Sequence, residues 1–270
     1  MKKLVDSLLT LGKVLIRSRR VSRDADKPAE GVLIIMGNGP SLRQTIDRQV
    51  EILERYHTMA VNFAANTPDF FRLRPLRYIL ADPHFFRLPS ADPNVGRLWE
   101  NLGKIDWEMT LHVPVGARLP ELPENIRLRR FNMTPCEGYD ALCHAVFNRR
   151  LGMPRPRNVL IPAIMEGLSE GYSDIYLVGA DHTWPHTLYV DELNRVVSVQ
   201  PHFYEDNKKE LDRVAREYEG LHLHDVLGSM TVAFRSYHQI ARYAEKRGVR
   251  IFNSTPGSLI DAFTRRPLPD

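Results

Sequence analysis

The chain has 270 residues, 43% apolar and 26% charged, the balance of a folded globular protein with length enough for a sizeable core. No run approaches about 18 uninterrupted apolar residues, so no transmembrane helix is expected. The two cysteines, Cys136 and Cys143, make neither a disulfide framework nor a zinc ribbon, and a reducing cytoplasmic setting suits them.

The net charge is +4, yet residues 1–23 alone hold Lys2, Lys3, Lys13, Arg17, Arg19, Arg20 and Arg23 against a single Asp6. The rest of the chain is slightly acidic, so nucleic acid is not expected as a partner. Within that arm Leu4, Leu8, Leu11 and Leu15 fall at i, i+4, i+7 and i+11, one apolar helical face with a cationic end. Two readings stand: a helix packed on the domain, or an interfacial helix drawn to anionic lipid. Gly12 and Lys13 break the apolar run and arginines follow it, which does not make a secretory signal. The polar stretch 22–30, with Pro28, reads as a linker that separates the arm from one domain spanning 31–265.

The apolar run at 33–36, within a strand predicted over 32–36, then breaks into Gly37-Asn38-Gly39-Pro40-Ser41 and enters an amphipathic segment. That is the pattern of a buried strand delivering a loop to a helix start. The glycines admit close approach of a ligand, and Ser41 is placed to cap the helix with Gln44 three residues on. Exposed N–H groups and the positive helix end favour an anion such as phosphate. The plainer reading is a glycine turn that only joins strand to helix. Neither the P-loop pattern nor the third glycine of the dinucleotide fingerprint is present.

Further strands are predicted at 58–63, 77–81, 110–113, 126–131, 174–178 and 250–252, and helices at 42–56, 138–148, 159–170, 206–218 and 230–246. Strands alternating with helices predict an α/β, Rossmann-like, mostly parallel sheet covered on both faces. The segment 178–207 is polar, aromatic and aperiodic, and its part from about 182 to 207 reads as a lid or binding loop.

Ligands of open α/β sheets bind beyond the carboxyl ends of the strands. The exits here are Gly37-Asn38-Gly39, then Asn62 and Asn66, then Asp82-Pro83-His84. Later strands exit in Gly179-Ala180-Asp181-His182 and Asn253-Ser254-Thr255-Pro256. Polar exits on one edge predict a nucleotide-type site.

The run Gly37-Asn38-Gly39-Pro40-Ser41-Leu42, Asn62, the segment 171–181 and the closing Pro256-x-Ser258-Leu259 occur in this order in another group. In them the chain resembles the bacterial CMP-sialic-acid-dependent sialyltransferases of glycosyltransferase family 42. It is also similar to the wider group of DUF115-type proteins, which includes pterin pyrophosphokinases and flagellin glycosylation factors. The resemblance runs from about residue 32 to 263. It implies a single Rossmann-like GT-A-variant domain with a lid, binding a CMP-activated acidic sugar of the sialic-acid or Kdo kind. On that mapping Asn38, Gly39 and Ser41 hold the nucleotide phosphate, beside Gly37, Gly179, Asp181 and Ser254 at the exits. Asn62 and Asp82 face the donor, Asp82 standing where the sialyltransferases carry Asn. Asn158 falls near a phosphate and ribose contact, and Tyr189 matches a tyrosine that stabilises the departing phosphate.

A base must take the proton of the acceptor hydroxyl, and histidine suits that near neutral pH. His202 is the first choice because the family places its catalytic His in a comparable His-Tyr stretch. His182 and His186 are rivals, and each histidine could equally be a satisfied loop or core residue. Asp181, His182 and His186 suggest a metal site only weakly, because Pro185 interrupts the helical spacing. No metal or other cofactor is expected.

The leading expectation is an inverting glycosyltransferase that moves the sugar to a hydroxyl of a surface glycan or glycolipid. Contact with the inner face of the cytoplasmic membrane would run through residues 1–23, and a homo-oligomer is compatible. The alternatives are an ATP-dependent pyrophosphokinase, with Mg held by Asp82 and Asp181, and a non-catalytic nucleotide-binding module.

Overall fold

The computed structural model describes residues 1–21, 29, 31–87, 89–90, 92–198 and 220–270. Helix α1 (Lys2–Arg17) leads, followed by β1 (Val32–Met36), α2 (Ser41–Arg55), β2 (His57–Val61), α3 (Pro68–Leu73) and β3 (Arg77–Ile79). Next come α4 (Pro93–Leu102), β4 (Met109–Pro114), β5 (Ile126–Phe131), α5 (Asp140–Asn148), α6 (Leu160–Glu170) and β6 (Asp174–Val178). A short hairpin of β7 (Tyr189–Val190) and β8 (Val196–Val197) precedes α7 (Leu223–Lys246), β9 (Arg250–Asn253) and β10 (Thr264–Arg265).

Eight strands form one sheet in the order β10-β9-β6-β1-β2-β3-β4-β5, with every pairing parallel. Side chains alternate between its faces, as the two-residue period of a strand requires. Leu33, Ile35, Met59, Val61, Ile175 and Leu177 join the core under α5, α6 and α7. Ile34, Met36, Ala60, Tyr176 and Val178 join the core under α2, α3 and α4. The fold is thus the expected α/β, Rossmann-like arrangement.

Several elements differ from expectation. The segment 178–207 is not without structure: it holds a 3-10 turn (Trp184–Thr187) and the β7–β8 hairpin, packed through Val196 against Val226 and Met230 of α7. Helix α7 starts at Leu223, and α3, α4 and β10 were not foreseen. The helix expected at 206–218 lies outside the described residues. The arm is hydrogen-bonded to the body of the chain. Thr10 Oγ1 donates to the Glu137 carbonyl (2.8 Å) and accepts from the Glu137 N–H (2.9 Å), while Ser7 Oγ accepts from the Tyr139 N–H (3.0 Å). Past the helix, Asn132 accepts from the Arg19 N–H (2.9 Å) and donates to the Arg19 carbonyl (2.8 Å).

The switch point of this topology lies between β1 and β6. The chain runs outward from β1 to β5 and returns to lay β6 on the other side of β1, with Met36 opposite Val178. The two exits therefore leave side by side. Gly37 N–H donates to Val178 O and Gly39 N–H to Gly179 O, both at 2.8 Å. Gly179 has φ +63, and a Cβ on either Gly37 or Gly179 would overlap the other's carbonyl oxygen. Glycine is required here by the contact of two backbones.

Under α6 a charged cluster is buried. His112 on β4 sets Nδ1 3.1 Å from Glu166 and Nε2 3.1 Å from Glu170. Arg150 and Arg129 reach Glu166 at 2.9 and 3.3 Å, and Arg77 reaches Glu170 at 2.9 Å. Burial alone would lower the His112 pKa, but the two carboxylates outweigh it and raise the group above its ordinary value. Burial would raise Glu170, yet His112 and Arg77 bring it down to about 2.

Two outcomes are expected. Gly37→Ala should cost at least about 1–3 kcal/mol in urea unfolding through backbone overlap. Gly96→Ala on α4, where nothing stands within 4 Å of the new Cβ, should be neutral or stabilising by about 0.5–1 kcal/mol. Equal losses in both variants would remove the crossing as the cause. The second concerns pH. A raised histidine contributes stability below its unfolded pKa of about 6.5 and loses it as pH climbs through the folded value. A depressed glutamate contributes above about 4.3 and loses it as pH falls toward the folded value. Melting temperature should therefore peak between those limits, and His112→Gln should flatten the alkaline limb while Glu170→Gln flattens the acid limb. Unchanged limbs in both variants would exclude the cluster as their source.

Candidate functional site

The strand exits meet at the carboxyl edge around β1 and β6. Ser41 does not cap α2 as its position suggested. Pro40 already has helical angles (φ −60, ψ −27) and stands as the cap, so Ser41 becomes the first helical residue. Its hydroxyl turns to a better acceptor and donates to Asp181 Oδ2 at 2.8 Å, while its N–H donates to Oδ1 at 3.3 Å. The Asp181 carboxylate thereby sits on the positive end of α2, the place where an anion is favoured. Burial pushes the Asp181 pKa up, and the bonds from Ser41 oppose that rise. A Cβ on Gly39 would strike this carboxylate, so Gly39 is what lets Asp181 in.

A loop after β9 braces the arrangement. Thr255 Oγ1 accepts from the Ala180 N–H (3.0 Å) and donates to Leu177 O (3.2 Å). Ser258 Oγ donates to Ala180 O (2.6 Å), and Leu259 N–H donates to Asp181 O (3.0 Å). The hydroxyl of Ser254 points elsewhere, to the Arg266 carbonyl at 2.7 Å.

His182 is buried at φ +52, its ring packed against Trp184 with centroids 4.2 Å apart. Its Nε2 lies 2.6 Å from the hydroxyl of Tyr237 on α7, and that hydroxyl donates to Asn158 Oδ1 at 2.9 Å. Asn158 Oδ1 also accepts from the Leu160 N–H at 3.0 Å, which fixes this atom as the oxygen. Asn158 Nδ2, which can only donate, lies 3.4 Å from the same His182 Nε2, so His182, Tyr237 and Asn158 form one closed hydrogen-bonded cluster. Burial lowers the His182 pKa to about 3, so the ring is neutral at physiological pH.

On the other side of β1, Asn38 Nδ2 donates to Val61 O at 3.4 Å, joining the first exit to the second. Asn62 opens a 3-10 turn at φ +51, a conformation asparagine tolerates, and its carbonyl accepts from the Tyr78 hydroxyl. Asp82 is exposed and caps the next turn, accepting from the His84 N–H at 2.8 Å. His186 and Tyr189 are exposed, on the 3-10 turn and on β7. His202 lies outside the described residues.

The structure thus gathers Gly37, Gly39, Ser41, Gly179 and Asp181 into one paired loop, with His182 bonded to Asn158 alongside and Asn38 leading to Asn62. Among the described residues no hydrogen bond joins Asp82, Tyr189 or Ser254 to this group. Nor is any set of three or more His, Cys, Asp or Glu arranged to hold a metal ion among them. Sequence reasoning missed Tyr237, which sits mid-helix with no local signal; Thr255 and Ser258 stood in a strand exit and a closing motif, but nothing in the sequence marked their bracing role.

No protein-family model matches this sequence, and no curated protein matches it. Among solved structures the fold is similar to that of the MAf glycosyltransferase from Magnetospirillum magneticum AMB-1, with a TM-score of 0.52 and 12% sequence identity. The match covers 98% of this chain and 38% of that one, so this chain spans well under half the length of its neighbour. What the two share is the Rossmann-like fold.

Proposed function

We propose that the protein is an inverting glycosyltransferase that takes an acidic sugar from a CMP-linked donor and passes it to a hydroxyl. The observation that carries this reading is the paired loop at the β1–β6 switch point. It stands where open parallel sheets take nucleotides. Two things support the sugar: the order of sialyltransferase-type motifs along the sequence, and a fold shared with a protein whose structure is named a glycosyltransferase.

On this reading the loop of Asn38, Gly39 and Ser41 lines the donor phosphate, Asn158 contacts phosphate and ribose beside it, and Asn62 and Asp82 face the sugar. The leaving phosphate is anionic and the sugar centre becomes cation-like, so donors aimed at the phosphate lower the barrier. A single phosphate has less need of a divalent cation than a diphosphate. Tyr189 stabilises the departing phosphate, and His202 takes the acceptor proton. His182, neutral in its buried setting, shapes the donor side of the site through its contacts with Tyr237 and Asn158. The acceptor is a surface glycan or glycolipid, met at the inner face of the cytoplasmic membrane.

The kinase alternative would recruit Asp82 and Asp181 to Mg²⁺. Both Asp181 oxygens already accept from Ser41, which argues for the metal-free reading.

A thermal-shift panel tests the donor. CMP or CDP should raise the melting temperature in EDTA, and ATP should not, because a ligand that binds only the folded state stabilises it by mass action. A shift seen only with ATP and Mg²⁺ would move the assignment to the pyrophosphokinase.

Histidine variants test the chemistry. His202→Ala should lower kcat by about 10²–10⁴ and leave CMP affinity nearly unchanged, since a general base acts on the acceptor. His182→Ala should instead weaken donor binding. If His202→Ala keeps full transfer activity while His182→Ala abolishes it with CMP binding and melting temperature intact, the roles are reversed.

A further inference from the structure

Helix α1 turns its polar edge to the protein and its apolar face outward. Ser7 and Thr10 are buried, and Val14 packs on the core, all on one side of the helix. The opposite side carries Leu4, Leu8, Leu9, Leu11, Leu15 and Ile16, between 42% and 82% exposed. A soluble surface rarely leaves so many large apolar side chains contiguous and bare. Exposed cations accompany them: Lys2, Lys3 and Arg17 on the helix, Arg19 and Arg20 just beyond it, against a single Asp6.

We infer that α1 is a membrane-docking surface that lies in the plane of an anionic bilayer. Its leucine face enters the boundary between headgroups and acyl chains, and its cations meet the lipid phosphates. Charge selects this occupant over a second copy of the chain. A two-fold contact through the leucines would set two identical cationic clusters within a Debye length of each other, whereas anionic headgroups neutralise them.

The surface is held rigidly. α1 runs antiparallel to residues 132–139, bonded from Ser7 to Tyr139 at one end and from Arg19 to Asn132 at the other. Gly138 (φ +117) permits the approach, since a Cβ there would strike Ser7. Residues 132–139 follow β5, so they lie at the carboxyl edge of the parallel sheet, as do the exits that build the candidate site. A docked molecule therefore brings the bilayer to that edge of the sheet. The inference stands on the helix alone and does not depend on the reaction proposed above.

Vesicle sedimentation of the full chain tests it, with vesicles of phosphatidylcholine alone and with about one third phosphatidylglycerol. Binding to the anionic vesicles should exceed binding to the neutral ones by at least about tenfold and fall as salt rises. Leu8→Ser with Leu15→Ser should reduce that binding by about 100-fold or more, because two exposed leucines lose their apolar transfer. Lys2→Gln with Arg17→Gln and Arg20→Gln should abolish the preference for anionic lipid. All variants should keep the parent's melting temperature, since these side chains point away from the core. Absence of vesicle binding, equal binding to both lipids, or full binding by the leucine variant would each overturn the inference. A concentration-dependent dimer in sedimentation velocity, dissolved by the leucine substitutions and without vesicle binding, would assign the face to a second copy.

Discussion

The contact between the backbones of Gly37 and Gly179 is the constraint on which the rest of the site depends. Parallel register sets Met36 beside Val178, so the next residue of each strand must cross its neighbour at van der Waals range. A side chain at either place would force the exits apart. With the exits together, Gly39 reaches the Gly179 carbonyl, Asp181 reaches the start of α2, and the loop after β9 closes behind Ala180. Each later bond presumes the one before it. The glycines of the first motif therefore serve the protein's own geometry before any ligand's.

That geometry changes how an anion can be received. The start of α2 is already neutralised by Asp181, and the N–H groups of Leu42 and Arg43 point to Gly39 O and Pro40 O. On the proposed reading, a donor phosphate on this edge is bound beside the helix end rather than on it, and Asn158, at the start of α6, is the group so placed. The proposed site is then a pocket of neutral hydrogen-bonding side chains. Such a pocket suits one phosphate carrying one charge better than the accumulated charge of a triphosphate.

Much of the sheet was legible in the sequence because buried parallel strands are short apolar runs with sharp ends. The segments 32–36, 126–131 and 174–178 coincide with β1, β5 and β6. The polar exits on one edge followed from the same runs. Helices α3 and α4 had signals that went unread: Thr67-Pro68 and Asp92-Pro93 each place a capping side chain before a proline at the first helical position. Helices this short show little periodicity to set beside those caps. The hairpin within 178–207 has two-residue strands, too brief for any alternation to register. The face by which α1 meets the protein was not legible, because a leucine stripe is read by default as the buried face, and here Ser7 and Thr10 on the other side make the contact.

The link from His182 through Tyr237 to Asn158 could not be read locally at all, because it spans three elements and about 80 residues of chain. The Leu160 amide fixes the oxygen of Asn158, that oxygen accepts from Tyr237, and the phenol and the Asn158 amide nitrogen both face His182 Nε2. A ring held neutral by burial and bonded on Nε2 inside the protein is poorly made to carry a proton away. On the proposed reading, the task of base falls to His202 for that reason.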